Sequence, residues 1–494
     1  MRLQFKMEKD KSVLAEICDV VTRLPELRFK SPVNWRINHG EHWAVVGPNG
    51  SGKSLLAGIL QRKYAMKEGE VRLCNGARID NFIRSITFRD IYSLADCRTS
   101  YYQQRWNTTE SDEMPTVEEL LKEHQGSDNL SRILDLFGIK DLLPKRLIYL
   151  SSGELRKFLI VRTLLKNPQI LILDNPFIGL DSESRGVLVE MLEVIGKLHG
   201  VHVILLLSNP SDIPEMITNV MPMLDRDCLP PLTREEFLAN RELIGRLFPT
   251  ESEGYQMERS ALPVDNSSAG SIHDVTMRME KVSIRYGNRT ILRDIDWEIR
   301  NGEKWSLSGP NGSGKSTLLS LVYADNPQSY ANTIYLFDKR RGSGESIWDI
   351  KRRIGYVSPE MHLYYKENVS ALRVVSSGFF DSVGLYRKCD VTQEELALEW
   401  MRLFGIDGLR DRMFLSLSSG EQRLALLARA FVKDPDLLIL DEPLHGLDIS
   451  RKKMAADIIE RFCSRNGKTL IYVTHYPHEL PCCIDKHFEL RKID

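Results

Sequence analysis

The sequence predicts two tandem α/β domains, each built on a mostly parallel β-sheet with helices on both faces. Three observations carry this. A chain of 494 residues exceeds what one apolar core organises. The segment GPNGSGKS occurs twice, at Gly47–Ser54 and Gly309–Ser316, with its lysines 262 residues apart. Two further segments repeat in the same order at nearly the same spacing: LSSGE at Leu150–Glu154 and Leu417–Glu421, and an apolar run ending in Asp at Ile170–Asp174 and Leu437–Asp441. Motifs repeated in one order at one spacing mark a duplicated domain.

Each copy opens on a strand-rich segment, passes through strand, glycine-rich loop and helix, runs through a helical middle and returns to an apolar strand. HWAVV (His42–Val46) and KWSLS (Lys304–Ser308) read as the strands before the loops, with LLAGIL and LLSLV as the helices after them. The first domain is expected over residues 1–225, a linker over 226–275 and the second domain over 276–494. Within the linker, Thr233–Phe248 has a weakly amphipathic helical pattern, and Pro249–Asp274 is polar and turn-rich.

Composition narrows the classes. Hydrophobic residues make up 42% and charged residues 27%, a globular balance. The 67 Lys and Arg nearly cancel the 68 Asp and Glu, so no basic excess signals nucleic acid. The eight cysteines are scattered, without CxxC or a His cluster at metal spacing. With no apolar leader and no run of about 18 apolar residues, the expected setting is the cytoplasm, with no direct membrane span. A role at a membrane would be peripheral, at its inner face.

The GxxxxGK[ST] loop between a strand and a helix wraps a polyphosphate in backbone N–H groups, and the helix N-terminus adds its positive end. The cradle residues are Gly47, Asn49, Gly50, Gly52, Lys53 and Ser54 in the first copy, and Gly309, Asn311, Gly312, Gly314, Lys315, Ser316 and Thr317 in the second. The lysines are placed to meet β- and γ-phosphates, and Ser54 and Ser316 to ligate Mg²⁺. Asp174 and Asp441 end buried-strand runs, where a carboxylate faces the same metal and its water shell. ATP and Mg²⁺ are therefore the expected cofactors.

LSSGE just upstream of the Asp-terminated strand resembles the signature of ATP-binding-cassette (ABC) ATPases. The resemblance implies two P-loop NTPase domains, each with a RecA-like sheet, an antiparallel strand-rich part and a helical subdomain. It also implies pairing of the cassettes within the chain, head to tail, with Ser151, Gly153, Ser418 and Gly420 offering donors to the opposite γ-phosphate. The same residues also suit an ordinary helix N-cap.

The copies differ in three places. Glu442 follows Asp441, whereas Asn175 follows Asp174. Attack of water on a γ-phosphate benefits from a carboxylate that takes the proton, which an amide cannot do. His475 stands at the family's switch-histidine position, and Asn209 stands there in the first copy. Arg285–Gly302 aligns without a gap to Arg23–Gly40, which sets Tyr286, at the family's adenine-stacking position, against Leu24. Strand packing is the other reading of Tyr286. All three departures fall in one copy, so Glu442 and His475 are the expected catalytic pair. The site holding Asn175 is expected to bind ATP and turn it over poorly.

The family's glutamine linking γ-phosphate to the helical subdomain is absent from its place. IGYVSPE puts Pro359 or Glu360 there, and ITFRD (Ile86–Asp90) is followed only later by Gln103 and Gln104. Gly342–Ser358, Ser377–Tyr386 and Leu417–Asp448 resemble the ModF-type (photorepair-protein-like) tandem ATPases, associated by family naming with molybdenum or molybdate. That resemblance implies an ATP-hydrolysing energy module with separate membrane permease subunits as partners. A soluble regulatory or ribosome-associated cassette ATPase is the alternative, and a DNA-directed one lacks a legible arm or basic face. Lys339–Arg341 and Lys351–Arg353 fit a solvated helix face or an anion contact.

Overall fold

The structure, a computed structural model, describes residues 13–76, 78–87, 115–122, 128–146, 150, 152–177, 180, 182–198, 200–249, 262–263, 273–286, 289–310, 312–359, 361, 365 and 367–492. The described residues divide into two compact units, one within residues 13–249 and the other within residues 262–492. Both are α/β, as the sequence predicts.

In the first unit, β1 (Val13–Thr22), β2 (Val33–Asn38) and β4 (Met66–Leu73) form an antiparallel sheet in the order β2-β1-β4. The second sheet runs β10-β8-β3-β7-β6-β5, with β3 Trp43–Val46, β5 Ile83–Thr87, β6 Ile170–Asp174, β7 His202–Leu207, β8 Asn219–Leu224 and β10 Leu232–Thr233. Its central pairs β5/β6, β6/β7, β7/β3 and β3/β8 are parallel. Such strands are covered on both faces, which is why β3 and β7 are buried at every residue. The helix α1 (Lys53–Leu60) packs Leu56 and Leu60 into one core with Trp35 and Trp43, fixing the loop before it between the two sheets.

Ordered structure extends beyond residue 225. The strand β9 (Asp227–Cys228) and β10 both pair with β8, and the helices Arg234–Ala239 and Arg241–Leu247 follow. Phe237, Leu247 and Phe248 are buried there.

The second unit repeats the plan. An antiparallel sheet runs β12-β11-β14-β15, with β11 Val275–Tyr286, β12 Arg289–Arg300, β14 Thr333–Leu336 and β15 Lys339–Arg340. A five-stranded sheet runs β16-β17-β18-β13-β19, with β13 Lys304–Ser308, β16 Ile354–Val357, β17 Leu437–Asp441, β18 Thr469–Val473 and β19 Lys486–Glu489. Every pair in it is parallel. The first unit's helix Ser152–Leu164 (α2) and the second unit's helices Lys315–Val322 (α3), Val391–Leu403 (α4), Ser419–Phe431 (α5) and Ile449–Cys463 (α6) complete the frame.

Two apolar cores flank the second unit's parallel sheet. One joins the antiparallel sheet to α3, and the other packs α4, α5 and α6 around Trp400, Phe431 and Phe462. No helix among the described residues is long and apolar enough to cross a membrane.

Candidate functional site

In both units the strand carrying the glycine-rich loop, β3 or β13, lies inside the sheet between two parallel neighbours that both come later in the chain, β7 and β8 or β18 and β19. Loops at the carboxyl ends of such strands form the binding crevice of open parallel sheets. Each loop closes tightly. A Cβ on Gly47 would lie 2.2 Å from the Met223 carbonyl oxygen, and one on Gly309 would lie 2.3 Å from that of Leu490. Gly52 and Gly314, with φ of 100° and 97°, cap α1 and α3 in the left-handed region that side chains avoid. Gly50 and Gly312 lie between, also at positive φ.

The lysines sit alike. The Lys53 ammonium donates to the carbonyls of Gly47 (2.7 Å) and Pro48 (2.9 Å), and that of Lys315 to Gly309 (2.6 Å) and Pro310 (3.1 Å). Each cation is thus anchored on its own loop. Among the described residues, the buried hydroxyls of Ser51 and Ser313 in these loops have no hydrogen-bond partner. Buried orphan hydroxyls beside a cation and a helix N-terminus are the chemistry of a loop made to receive an anion. Thr317 is buried, and its carbonyl accepts from the Ser320 hydroxyl at 2.6 Å.

For a divalent cation the first unit supplies adjacent hard oxygens, with Ser54 Oγ donating to Asp174 Oδ2 at 2.8 Å. Oxygen donors of this kind suit Mg²⁺. In the second unit Ser316 is the second residue of α3 and Asp441 ends β17, buried. Phosphate and Mg²⁺ both fit these donor sets.

Beyond the strand-ending aspartates the units diverge. Asn175 and Glu442 share one backbone shape, at φ 49° and 50°, and each donates its N–H at 2.9 Å to the strand alongside, at Leu206 and Val473. A left-handed conformation suits Asn and strains Glu. Glu442 Oε1 accepts from the His475 N–H at 2.8 Å and lies 3.9 Å from His475 Nε2. Burial, followed by the charges of Asp441 and Glu479, pushes the Glu442 carboxyl up to about 8. The fold therefore brings the expected base and the expected switch histidine together, in a setting that raises the carboxylate's proton affinity toward neutral pH.

In the first unit the amide of Asn175 is engaged on both ends. Its Nδ2 donates to Asp174 Oδ1 at 3.0 Å, and its Oδ1 accepts from Ser208 Oγ at 3.2 Å. Ser208 also reaches Asn49 Oδ1 at 3.0 Å, tying the cradle to the strand ends. Asn209 turns onto its own chain, accepting from the Ser211 N–H at 3.0 Å. Asn209 is thus engaged with its own chain, whereas the His475 backbone N–H reaches Glu442.

Ser418 is the N-cap of α5, in a reciprocal box with Glu421: its hydroxyl accepts from the Glu421 N–H at 3.4 Å, and its own N–H donates to Glu421 Oε2 at 2.8 Å. The hydroxyl keeps its proton to donate. Gly420 is buried in the first turn, and a Cβ on Gly153 would lie 2.9 Å from Ser184 Oγ. The Tyr286 hydroxyl accepts from Asn326 Nδ2 at 2.9 Å, with its ring half-buried against the core of α3, while Leu24 is 51% exposed. Ser151, Asn311, Glu360, Asp90, Gln103 and Gln104 lie outside the described residues.

Sequence reasoning missed Ser208 and two arginines. Arg423, on α5, is buried and donates to the carbonyls of Ser358 (3.1 Å), Asp441 (3.2 Å), Pro443 (3.2 Å) and Glu442. It holds the turn that carries Glu442. Arg156 on α2 is also buried and donates to the Pro176 carbonyl at 2.8 Å. A signal existed, because both copies place Arg two residues after LSSGE.

Comparison with known proteins agrees with this geometry. The family model described as ABC transporter matches residues 31–178 and 292–445. The Escherichia coli (strain K12) ABC transporter ATP-binding protein ModF is 38% identical over 92% of each chain. An uncharacterized ABC transporter ATP-binding protein of Schizosaccharomyces pombe is 29% identical over 93% of each. Among solved structures, the RNase-L Inhibitor overlays with a TM-score of 0.53 at 18% identity, covering 95% of this chain and 87% of that one. An archaeal ribosome recycling factor, in complex with a ribosomal stalk protein, gives 0.51 at 18% identity over 95% and 87%. These overlays show a shared fold.

Proposed function

Because this chain belongs to the ABC transporter family of ATP-binding proteins, we propose that its two cassettes close head to tail on two ATP molecules, of which one is hydrolysed. Like its family, the chain is an ATPase. The competent site comprises Lys315, Ser316, Asp441, Glu442 and His475, closed by Ser151 and Gly153. The other comprises Lys53, Ser54, Asp174, Asn175 and Asn209, closed by Ser418 and Gly420. The observation that carries this reading is the contact of Glu442 with His475, set against the self-engaged amides of Asn175 and Asn209.

In the competent site the loop N–H groups and Lys315 bind and orient the phosphates, and Tyr286 offers its ring to adenine. Glu442 positions the attacking water and takes its proton at a carboxylate oxygen, which burial has made more basic than usual. His475 fixes that carboxylate through its backbone N–H and faces the γ-phosphate with its ring. Mg²⁺, held by Ser316 and Asp441, and by Ser54 and Asp174 in the other site, neutralises charge on the phosphates when bound.

Physiologically, the reading is the energy module of an ABC transporter, molybdate-related, working from the inner face of the cell membrane on separate permease subunits. Its support is the likeness to ModF along nearly the whole chain. The second reading is a soluble ABC ATPase with a regulatory or ribosome-associated role. What favours it is the absence of glutamine from the γ-phosphate link, where the second unit has Pro359 and Glu360.

Glu442→Gln tests the chemistry. ATP binding survives, and steady-state hydrolysis falls about a hundredfold or more, the usual contribution of a positioned acid–base group. Hydrolysis that persists in Glu442→Gln yet vanishes in Lys53→Ala reverses the assignment. Affinity capture from membranes separates the physiological readings: permease subunits support the first, ribosomal particles the second.

A further inference from the structure

The second unit carries a buried ionic cluster that the ATP chemistry does not use. Asp381, its side chain 5% exposed, accepts from the Tyr323 hydroxyl at 3.2 Å, pairs with the Lys433 ammonium and lies 3.9 Å from the Arg429 guanidinium. Lys433 also donates to the Lys351 carbonyl at 2.7 Å, and Arg429 to Ser377 Oγ at 3.0 Å and the Ser382 carbonyl at 3.3 Å. The Lys351 ammonium lies 4.5 Å from the centre of the Tyr323 ring and 2.6 Å from Asp325.

The place of this cluster gives it meaning. Tyr323 caps the C-terminus of α3, the helix that begins at Lys315. Arg429 sits in the last turn of α5, the helix that Ser418 caps, and Lys433 follows that helix directly. Tyr323 belongs to one apolar core of the unit and Phe431 and Val432 to the other, so the charges lie at the seam between the cores. Close packing backs the contact, because a Cβ on Gly378 would lie 2.1 Å from the Arg429 carbonyl oxygen.

Burying ions here costs more than an apolar seam would, and burial, with the charges of Arg429 and Lys351, drives the Lys433 ammonium down to about 8 despite its Asp381 partner. What ions supply and oil does not is one fixed geometry. Among the described residues the first unit does not repeat the arrangement: Gln61 stands at the position of Tyr323, and Lys166, at the position of Lys433, is exposed.

We propose that Tyr323, Asp381, Arg429 and Lys433 are positioning residues that couple occupancy of the Lys315 cradle to the placement of Ser418, and so to ATP affinity at the Lys53 cradle. This rests on the head-to-tail reading, in which Ser418 closes over the nucleotide of the first unit. Helices about 12 and 20 Å long transmit displacement as rigid rods, and the cluster joins the end of one to the end of the other. By linkage, the effect of either nucleotide on the other is the same factor.

The test uses the full chain carrying Glu442→Gln, with a fluorescent ATP analogue. Adding Lys315→Ala weakens the first cradle about fivefold or more, within the usual range of coupling between sites. Tyr323→Phe or Lys433→Met, each with a native melting profile, reduces that difference to less than about twofold, while Lys433→Arg retains it. A difference that persists in both folded variants, or is absent from the parent chain, overturns the proposal. Ser418→Arg separates the two ideas. If it leaves the first cradle unaffected, the head-to-tail reading has failed; if it weakens that cradle while the cluster variants change nothing, only the coupling has failed.

Discussion

Residues 174–175 and 441–442 occupy the same turn with the same backbone and different chemistry. In each pair the aspartate ends a parallel strand, and the residue after it adopts φ near +50° and hands its N–H to the neighbouring strand. Asn175 rests in that conformation at little cost, whereas Glu442 is held there under strain, by Arg423 at the turn's carbonyls. Strain kept at Glu442 and relaxed at Asn175 is what the proposed asymmetry rests on. On that proposal the fold of the cradle and the competence to hydrolyse are separable properties, and the first unit keeps only the former.

The comparison can be broken first at the cradles. Gly309→Ala drives a Cβ into the Leu490 carbonyl and lowers hydrolysis about a hundredfold or more, the cost of misplacing a reacting group by an ångström. Gly47→Ala, with an equal clash at Met223, removes one bound nucleotide and leaves the chemical step at the other site. Equal losses of hydrolysis in single-turnover assays would contradict the asymmetry.

Next come the arginines. Arg423→Met strips donors from buried carbonyls, lowers stability to urea by about 2–3 kcal/mol and slows turnover. Arg156→Met loosens the first unit and leaves kcat within about twofold, because the turn it holds carries no base. Smaller again is a gain. In a Lys315→Ala chain, Asn175→Glu with Asn209→His raises residual hydrolysis about tenfold, measured as phosphate release. No gain would mean that the first unit lacks more than these two groups.

The smallest effect is a pH slope. The Lys433 ammonium has its folded value lowered from 10.5 to about 8 by burial, so between these values the unfolded chain holds more protons than the folded one. Stability therefore rises with pH in that window, by about 1 kcal/mol from pH 8 to 9, and Lys433→Met removes that contribution. Urea midpoints at the two pH values measure it.

Much of this was legible before any coordinates. The repeated loops, the strands that end at Asp174 and Asp441, and the Glu442/Asn175 contrast are local patterns, and local patterns survive in sequence. Arg423, Ser208 and the ionic cluster were not read from it, because their roles depend on carbonyls and carboxylates 18 to 159 residues away in the chain. The backbone of Glu442 was equally hidden, since nothing in DEP announces a left-handed residue. Tyr286 is a mixed case: its position follows from the alignment, yet only the structure reveals the hydrogen bond from Asn326 that fixes its hydroxyl. Residues Arg234–Leu247 read correctly as helical, but their packing through Phe237 and Leu247 could come only from tertiary contacts.

The central claim is a stoichiometry: the chain carries two ATP and cleaves one. Loading the purified protein with labelled ATP and Mg²⁺, removing free nucleotide and quantifying what stays bound through a single turnover tests it directly. The account predicts equal amounts of ADP and intact ATP in the native chain, ADP alone in Lys53→Ala and intact ATP alone in Lys315→Ala. ADP at both sites, or ADP formed in Lys315→Ala, would contradict it.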